Sequence, residues 1–312
     1  MELWGTRCRK QSIPKVPYHL AICFKRSCIM RILTRAVAKV NLMLRIIGRS
    51  AYGGYHELQS LFVFLGEIFD VLEFDTDVEF NETSGHIDGV PDEDNSIRIA
   101  ADILKRKFYK KVPHVTVRKK LPIGGGIGGG SSDAACFVNT VMDIWQIPHS
   151  DKLRNIRLFR ILGSDATVFL HKYILNTNML FLEGTGLDGS ISPILIQELH
   201  RCCVILIRND IYLSTKDIYE TFEGPILNPI RKDDCDFPSL KNFHNSLQET
   251  ALDAKADLYP ILEAIRRTNP YCCGIAGSGS VCFGLYESLE QGLAAKEIYQ
   301  AHGYDYLELS RI

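Results

Sequence analysis

The stretch Leu121-Pro122-Ile123-Gly124-Gly125-Gly126-Ile127-Gly128-Gly129-Gly130-Ser131-Ser132-Asp133-Ala134-Ala135 carries the densest signal in the 312-residue chain. Consecutive glycines let backbone N–H groups converge on one point with no Cβ in the way. A helix is predicted directly behind them, because Ala134, Ala135, Val138, Val141, Met142 and Trp145 share one stripe before Pro148 ends it. Its N-terminus adds orphan donors and roughly half a positive charge. The combination is an anion site, and phosphate suits it best. A flexible linker would not be expected between the strand over 114–118 and a helix opening on Ser-Ser-Asp. Three phosphate-loop readings compete. Gly124, Gly126 and Gly129 match the dinucleotide fingerprint, but that reading needs an acid about 20 residues on at a strand end, and Asp143 falls inside the helix. A mononucleotide loop needs Gly-Lys-Ser/Thr, which is absent, as are the His-Arg-Asp and Asp-Phe-Gly motifs of protein kinases. The third reading is an ATP loop of another kind.

Upstream, even positions from Ile32 to Ile46 are mostly small or apolar, while odd ones include Arg35, Lys39, Asn41 and Arg45. This period of two predicts a strand with Lys39 and Asn41 on one face, turned off the core side. A turn at Gly53-Gly54 precedes strand candidates over 57–65 and 68–74, then a polar hairpin and loop over 75–94. Asn95 precedes a helix over 97–109 whose cations gather late. Downstream, one helix is expected over 151–162, and Ser164-Asp165-Ala166 enters an apolar run. Further elements are read at 179–183, 203–208, 215–223, 242–251 and 258–267, with strands around a second glycine cluster within 271–286. The expected domains are 30–172 and 173–312. Residues 1–29, with six cations against Glu2 alone, are expected to lie outside the fold, as a targeting segment or as the consequence of a true start at Met30.

Lys plus Arg number 36 against 37 Asp plus Glu, so nothing global points to nucleic acid or a membrane surface as partner. No apolar run approaches the ~18 residues that cross a bilayer. Ten cysteines without a Cys-x-x-Cys pair suggest reduced core residues and a cytoplasmic location rather than a disulfide framework or a zinc site. The chain is expected to act as a monomer or homodimer.

The glycine stretch resembles the phosphate loop of the GHMP small-molecule kinases. Other stretches are similar to one branch of that family: Ala38-Lys39-Val40-Asn41-Leu42, Gly54-Tyr55-His56-Glu57-Leu58, Leu162-Gly163-Ser164-Asp165 and Ala276-Gly277-Ser278-Gly279-Ser280. The resemblance implies a two-domain α+β fold. Its N-terminal domain carries a left-handed βαβ crossover, its C-terminal domain is an α/β layer, and the active site lies in the cleft between them. It implies ATP and Mg²⁺ as cofactors, and phosphorylation of the 2-hydroxyl of a cytidine-diphosphate-linked methylerythritol on the non-mevalonate route to isoprenoids. By the same resemblance Asp165 is the base and Lys39 stands beside it, balancing its charge and orienting the hydroxyl. Pro122, Gly124, Gly125, Gly126, Gly128, Gly129, Gly130, Ser131, Ser132 and Asn95 would bind ATP, with Ser132 also the candidate metal ligand. Asn41, Tyr55, His56, Gly277, Ser278 and Gly279 would bind the sugar-alcohol substrate, with Tyr212 a second aromatic for the cytosine. Val37, the Ala51-Tyr52-Gly53-Gly54 turn, Ala166-Thr167 and Asn209-Asp210 depart from the family pattern. A different alcohol such as homoserine, a non-catalytic nucleotide binder and a dinucleotide-dependent oxidoreductase are the alternatives.

Overall fold

A computed structural model describes residues 19–20, 31–49, 56–185, 189–208, 210–304 and 307–312. Strand β1 (His19–Leu20) forms a two-residue rung opposite Leu33 and Thr34 of β2 (Arg31–Arg49). These are the only described residues of the 1–29 segment, and their backbone pairs with the sheet. The two stretches expected at 57–65 and 68–74 form one strand, β3 (His56–Glu79). Its register against β2 steps from Leu65 to Phe69 between Ala38 and Val37, so residues 66–68 are absorbed as a bulge and the expected break never forms.

Helix α1 (Ser96–Phe108) starts where Asn95 caps it, its side chain accepting the Ile97 N–H at 3.0 Å. Strand β4 (Pro113–Arg118) leads into the glycine loop and α2 (Gly129–Ile144). The single helix expected over 151–162 is instead α3 (His149–Asn155) followed by a 3-10 segment, Ile156–Leu162. Ile156, Phe159 and Leu162 are its buried residues, a spacing of three that a 3-10 helix aligns on one side. Then come α4 (Ser164–Leu175), β5 (Met179–Gly184) and β6 (Ser190–Pro193).

The first sheet runs β1-β2-β3-β5-β6, with β4 also paired to β3. Both β4 and β5 are antiparallel to β3, so they run parallel to each other with α2, α3 and α4 between them, a β–helix–β connection. Because β5 and β6 belong to this sheet, it extends to Pro193, and residues 172 and 173 lie inside α4. The expected border at 172/173 therefore cuts an element of the first unit.

The second sheet runs β10-β7-β9-β8, built from β7 (Cys203–Ile207), β8 (Cys272–Ile275), β9 (Cys282–Tyr286) and β10 (Leu307–Arg311). Helices α5 (Thr215–Glu220), α6 (Gln248–Ala254), α7 (Leu258–Arg267) and α8 (Leu289–Ala301) complete this unit. The expected helix over 242–251 begins only at Gln248, because the Asn245 side chain is spent on the turn before it, accepting the Leu247 N–H at 3.0 Å.

The sheets face each other. Ala38, Val40, Leu42, Leu61, Val63 and Leu65 share a core cluster with Val204, Leu206, Phe283 and Leu285 of the second sheet. Phe62, Phe64 and Phe74 turn the other way, into the cluster formed with α1, α2 and α4. This explains one overturned expectation. Lys39 and Asn41 do alternate with the apolar positions of β2, yet they are 3% and 2% exposed rather than turned to solvent. The period marks a face; whether water or a helix layer covers it is decided by the rest of the chain.

Hydrogen bonds tie the second unit to the first, and within the second unit the Asn245 side chain braces the turn that makes two of them. Leu44 donates its N–H to His244 O at 2.9 Å and accepts from the Ser246 N–H at 2.8 Å. Gln59 donates to Ile230 O and accepts the Ile230 N–H, both at 2.8 Å. Asn245 donates to Ile275 O at 2.9 Å and Gly277 O at 2.8 Å. Asn245→Ala leaves three backbone groups without their partner, which should cost about 2–3 kcal/mol at about 1 kcal/mol each. A melting scan should show Tm lowered by several degrees, and an unchanged Tm would contradict this role for Asn245.

Candidate active site

Three glycines of the loop, Gly124, Gly126 and Gly128, adopt left-handed φ values of 73°, 73° and 75°. Left-handed residues at every second position turn successive N–H groups to one side, forming a concave nest for an anion. Helix α2 starts at the next residue, so its orphan donors join the same concavity. A Cβ on Gly126 would stand 2.0 Å from Ala276 O, and one on Gly128 would stand 2.6 Å from the Phe169 ring. The loop needs glycine there for closeness as well as for φ.

Opposite the loop stands an ion pair. Gly163, at φ 98°, makes the sharp entry into α4 and puts Asp165 in its first turn. Asp165 Oδ2 lies 3.2 Å from Lys39 Nζ, the lysine side chain 4% exposed and the aspartate 34%. Lys39 Nζ also donates to Asn41 Oδ1 at 2.7 Å. Asn41 Nδ2 donates to Ser60 Oγ at 2.8 Å, and Ser60 donates to Met43 O at 2.7 Å. The Lys39 backbone N–H reaches the loop directly, donating to Ile127 O at 3.1 Å. Lysine and loop are thus held in one frame. A buried ammonium is costly unless paired and hydrogen-bonded; here a carboxylate and an amide oxygen do both.

A cavity of about 420 Å³ joins these groups. Its wall includes Lys39, Asn41, Asn95, Pro122, Gly124, Gly125, Gly126, Gly128, Gly129, Gly130, Ser131, Asp165, Gly277 and Ser278, all anticipated from the sequence. Ser132 is placed elsewhere. It is wholly buried, its Oγ 2.8 Å from the Tyr173 hydroxyl, and it does not reach the cavity wall. Gly279 stands behind the wall, its N–H donated to Ala276 O at 2.9 Å. Tyr55 lies outside the described residues.

His56 reaches the cavity through a neighbour. Its ring centroid is 5.6 Å from that of Tyr219, which lines the wall, and 5.8 Å from Phe222. Burial holds the His56 imidazole below its ordinary pKa, and the Arg49 charge adds to this, so the ring is neutral at pH 7. Burial, with the Asp165 carboxylate adding to it, pushes the Tyr219 hydroxyl up. Tyr212, the sequence candidate for a second aromatic, is instead 65% exposed and lies over Gly124, 2.6 Å from where its Cβ would be. Tyr219, Ser60 and Lys119 were not anticipated. Tyr219 sits in a short helix with no motif around it, and nothing in the sequence brings residue 219 to residue 56.

The loop geometry separates its glycines. In Gly126→Ala the side chain meets a backbone carbonyl at left-handed φ, whereas a Cβ at Gly130 meets nothing within 4 Å. At about 1–3 kcal/mol for overpacking, plus backbone strain, kcat/KM should fall about ten- to hundredfold in Gly126→Ala. Apo stability should be retained in Gly130→Ala. Steady-state kinetics beside thermal melts check both, and equal behaviour of the two variants would refute the assignment.

The family model described as the GHMP kinases N terminal domain matches residues 95–172. A 4-diphosphocytidyl-2-C-methyl-D-erythritol kinase from Parvibaculum lavamentivorans is 31% identical over 294 residues, covering 88% of this chain and 96% of that protein. One from Shewanella woodyi is 32% identical over 263 residues, covering 82% and 85%. Among solved structures, a 4-(cytidine 5'-diphospho)-2C-methyl-D-erythritol kinase superposes with TM-score 0.70 at 23% identity, covering 89% of this chain and 98% of the other. A homoserine kinase from Cytophaga hutchinsonii gives 0.62 at 15% identity, covering 93% and 98%. These solved structures share the two-unit α+β fold. With the length and identity of the matches to its relatives, the chain belongs to the 4-diphosphocytidyl-2-C-methyl-D-erythritol kinases, small-molecule kinases of the GHMP family.

Proposed function

We propose that this chain transfers the terminal phosphoryl group of ATP to the 2-hydroxyl of 4-diphosphocytidyl-2-C-methyl-D-erythritol, a step of the non-mevalonate isoprenoid route. The observation that carries the reading is the Lys39–Asp165 pair, 3.2 Å apart, on the wall of the same cavity as the glycine nest. The nest and the start of α2 hold the phosphates through backbone N–H groups. Asp165 accepts the proton of the attacking hydroxyl, whose oxygen forms the new bond to phosphorus as the bond to ADP breaks. Lys39, fixed by Asn41, balances charge beside the reacting oxygens. Tyr219 and His56 form an aromatic end for the cytosine, a neutral imidazole being able to donate from one nitrogen and accept at the other.

The donor set fits Mg²⁺. Among the described residues no three His, Cys, Asp or Glu side chains gather into a metal cage, and Mg²⁺ is ordinarily held by phosphate oxygens and water with one or two protein oxygens. Ser131, on the cavity wall, is the loop hydroxyl available for it in place of Ser132. When bound, the ion neutralises charge on the phosphates.

Asp165→Asn preserves shape and removes the proton acceptor. Turnover should fall by about 10²- to 10⁴-fold with ATP still binding, and near-normal kcat would remove Asp165 from this role. An ATP-consumption assay with the cytidyl compound against homoserine tests the substrate, since turnover of homoserine alone would overturn it. The His56 reading fixes the sign of a pH effect. Its pKa lies below the ordinary value of about 6.5, so KM for the cytidyl compound should stay level from pH 9 to pH 7. It should rise only in acid, as the ring gains a proton, and a KM that improves on acidification would contradict a neutral imidazole.

A further inference from the structure

Asp70 stands in the middle of β3, wholly buried between the buried Ile68 and Leu72. Its Oδ1 accepts the N–H groups of Lys120 and, at 2.8 Å, Leu121, and its Oδ2 accepts Lys119 Nζ at 2.6 Å. One carboxylate therefore takes three donors from Lys119, Lys120 and Leu121, the residues that lead through Pro122 and Ile123 into the glycines. The same Lys119 Nζ donates to Asp133 Oδ2 at 2.9 Å. Asp133 is also wholly buried, and it lies in the second turn of α2, just past the loop. A single ammonium thus bonds a carboxylate from the strand below and a carboxylate from the helix beyond.

We propose that Asp70, Lys119 and Asp133 are positioning residues that staple the two ends of the phosphate loop together before ATP arrives, and so set the affinity for ATP rather than the rate of transfer. The proposal rests on the ATP reading given above. Among the described residues Lys119 lines the cavity and neither aspartate does, so the aspartates act through the lysine and the loop. The ammonium sits at the mouth of α2, 3.2 Å from where a Cβ on Gly129 would be. Six glycines in seven positions have more conformational freedom to lose on ordering than any other sequence. Fastening both ends in advance removes part of that loss from the binding step, which appears as affinity. Bonds between charged partners are the stronger kind for such a fastening. Burial works against both partners: it pushes the Asp133 carboxyl up to about 8, with Asp70 adding to this against the pull of Lys119, while the two acids together hold the Lys119 ammonium above the ordinary lysine value, so the positive charge at the centre of the staple is kept.

Two measurements on the full-length chain test this. In Asp70→Asn, which keeps the shape but turns an amide NH₂ instead of a carboxylate oxygen toward Lys119, the Kd for ATP measured by calorimetry should rise about tenfold, equivalent to about 1.4 kcal/mol. KM for the cytidyl compound and kcat at saturating ATP should stay within about twofold, a separation that a general loss of packing would not produce. In the unliganded wild type, amide exchange over 124–130 should already be slow. Unchanged ATP affinity in the variant, or an equal rise in both substrate constants, overturns the staple. So does a wild-type loop that exchanges freely until ATP is added, a result that needs no variant to fold. Absence of any ATP binding to the wild type would instead strike the underlying reading, and the unliganded exchange would still decide whether the ends are fastened.

Discussion

Two glycine turns, one from each half of the chain, meet backbone to backbone, and the rest of the site is arranged around that contact. A Cβ on Gly126 would come within 2.0 Å of Ala276 O, and one on Gly277 within 2.9 Å of Gly126 O and 3.2 Å of Lys39 Nζ. The Val281 N–H donates to Gly125 O at 3.1 Å, closing the contact with a main-chain bond. Side chains at these positions would push the halves apart and open the space behind the lysine. The absence of side chains therefore fixes where the loop stands relative to Lys39, and hence where an anion in the loop stands relative to Asp165.

Around this contact the polar groups are settled in order of cost. A buried ammonium is the most expensive group to leave unpaired. Lys39 has Asp165 and Asn41, while Asn41 and Ser60 pass the remaining hydrogen-bonding capacity to Met43 O. Asp165 keeps about a third of its side-chain surface open, which leaves an oxygen on the cavity side able to take a proton. The same economy governs the bonds of Gln59 between the halves and those of Asn245 within the second one, because each buried main-chain group that loses water needs a partner. A cleft between two layers keeps its shape only if the layers do not slide, and the bonds of Leu44 and Gln59 tie one layer to the other.

The loop could be read from the sequence because its requirement is local: φ values and helix-terminal donors depend on residues 121–135 alone. Lys39, Asn41 and Asp165 could be named through the resemblance, and their convergence could not have been derived from spacing. Reading β2 as half-exposed failed because period two reports sidedness and not cover. Ser132 was misplaced because on a helix one residue turns about 100°, so the neighbour, Ser131, faces the cavity while Ser132 packs on Tyr173. Tyr219 escaped notice because aromatic residues are common in amphipathic helices and only assembly sets this one beside His56. The border near 172 failed for a similar reason: β5 pairs with β3, more than a hundred residues earlier in the chain, and that pairing leaves no mark at the border.

By itself the sequence determined the glycine loop with the helix behind it and the strand carrying Lys39, since each follows from glycine conformation or side-chain period over a few residues, whereas the apolar run opened by Ser164-Asp165-Ala166 became a helix only in the structure. The tertiary structure alone decided which faces are covered, which serine meets the cavity, which aromatic completes the far end and how Asp70 and Asp133 come to share Lys119. Those outcomes depend on pairings between distant segments, whose geometry is set by packing two sheets against each other and is written in no single stretch of the chain.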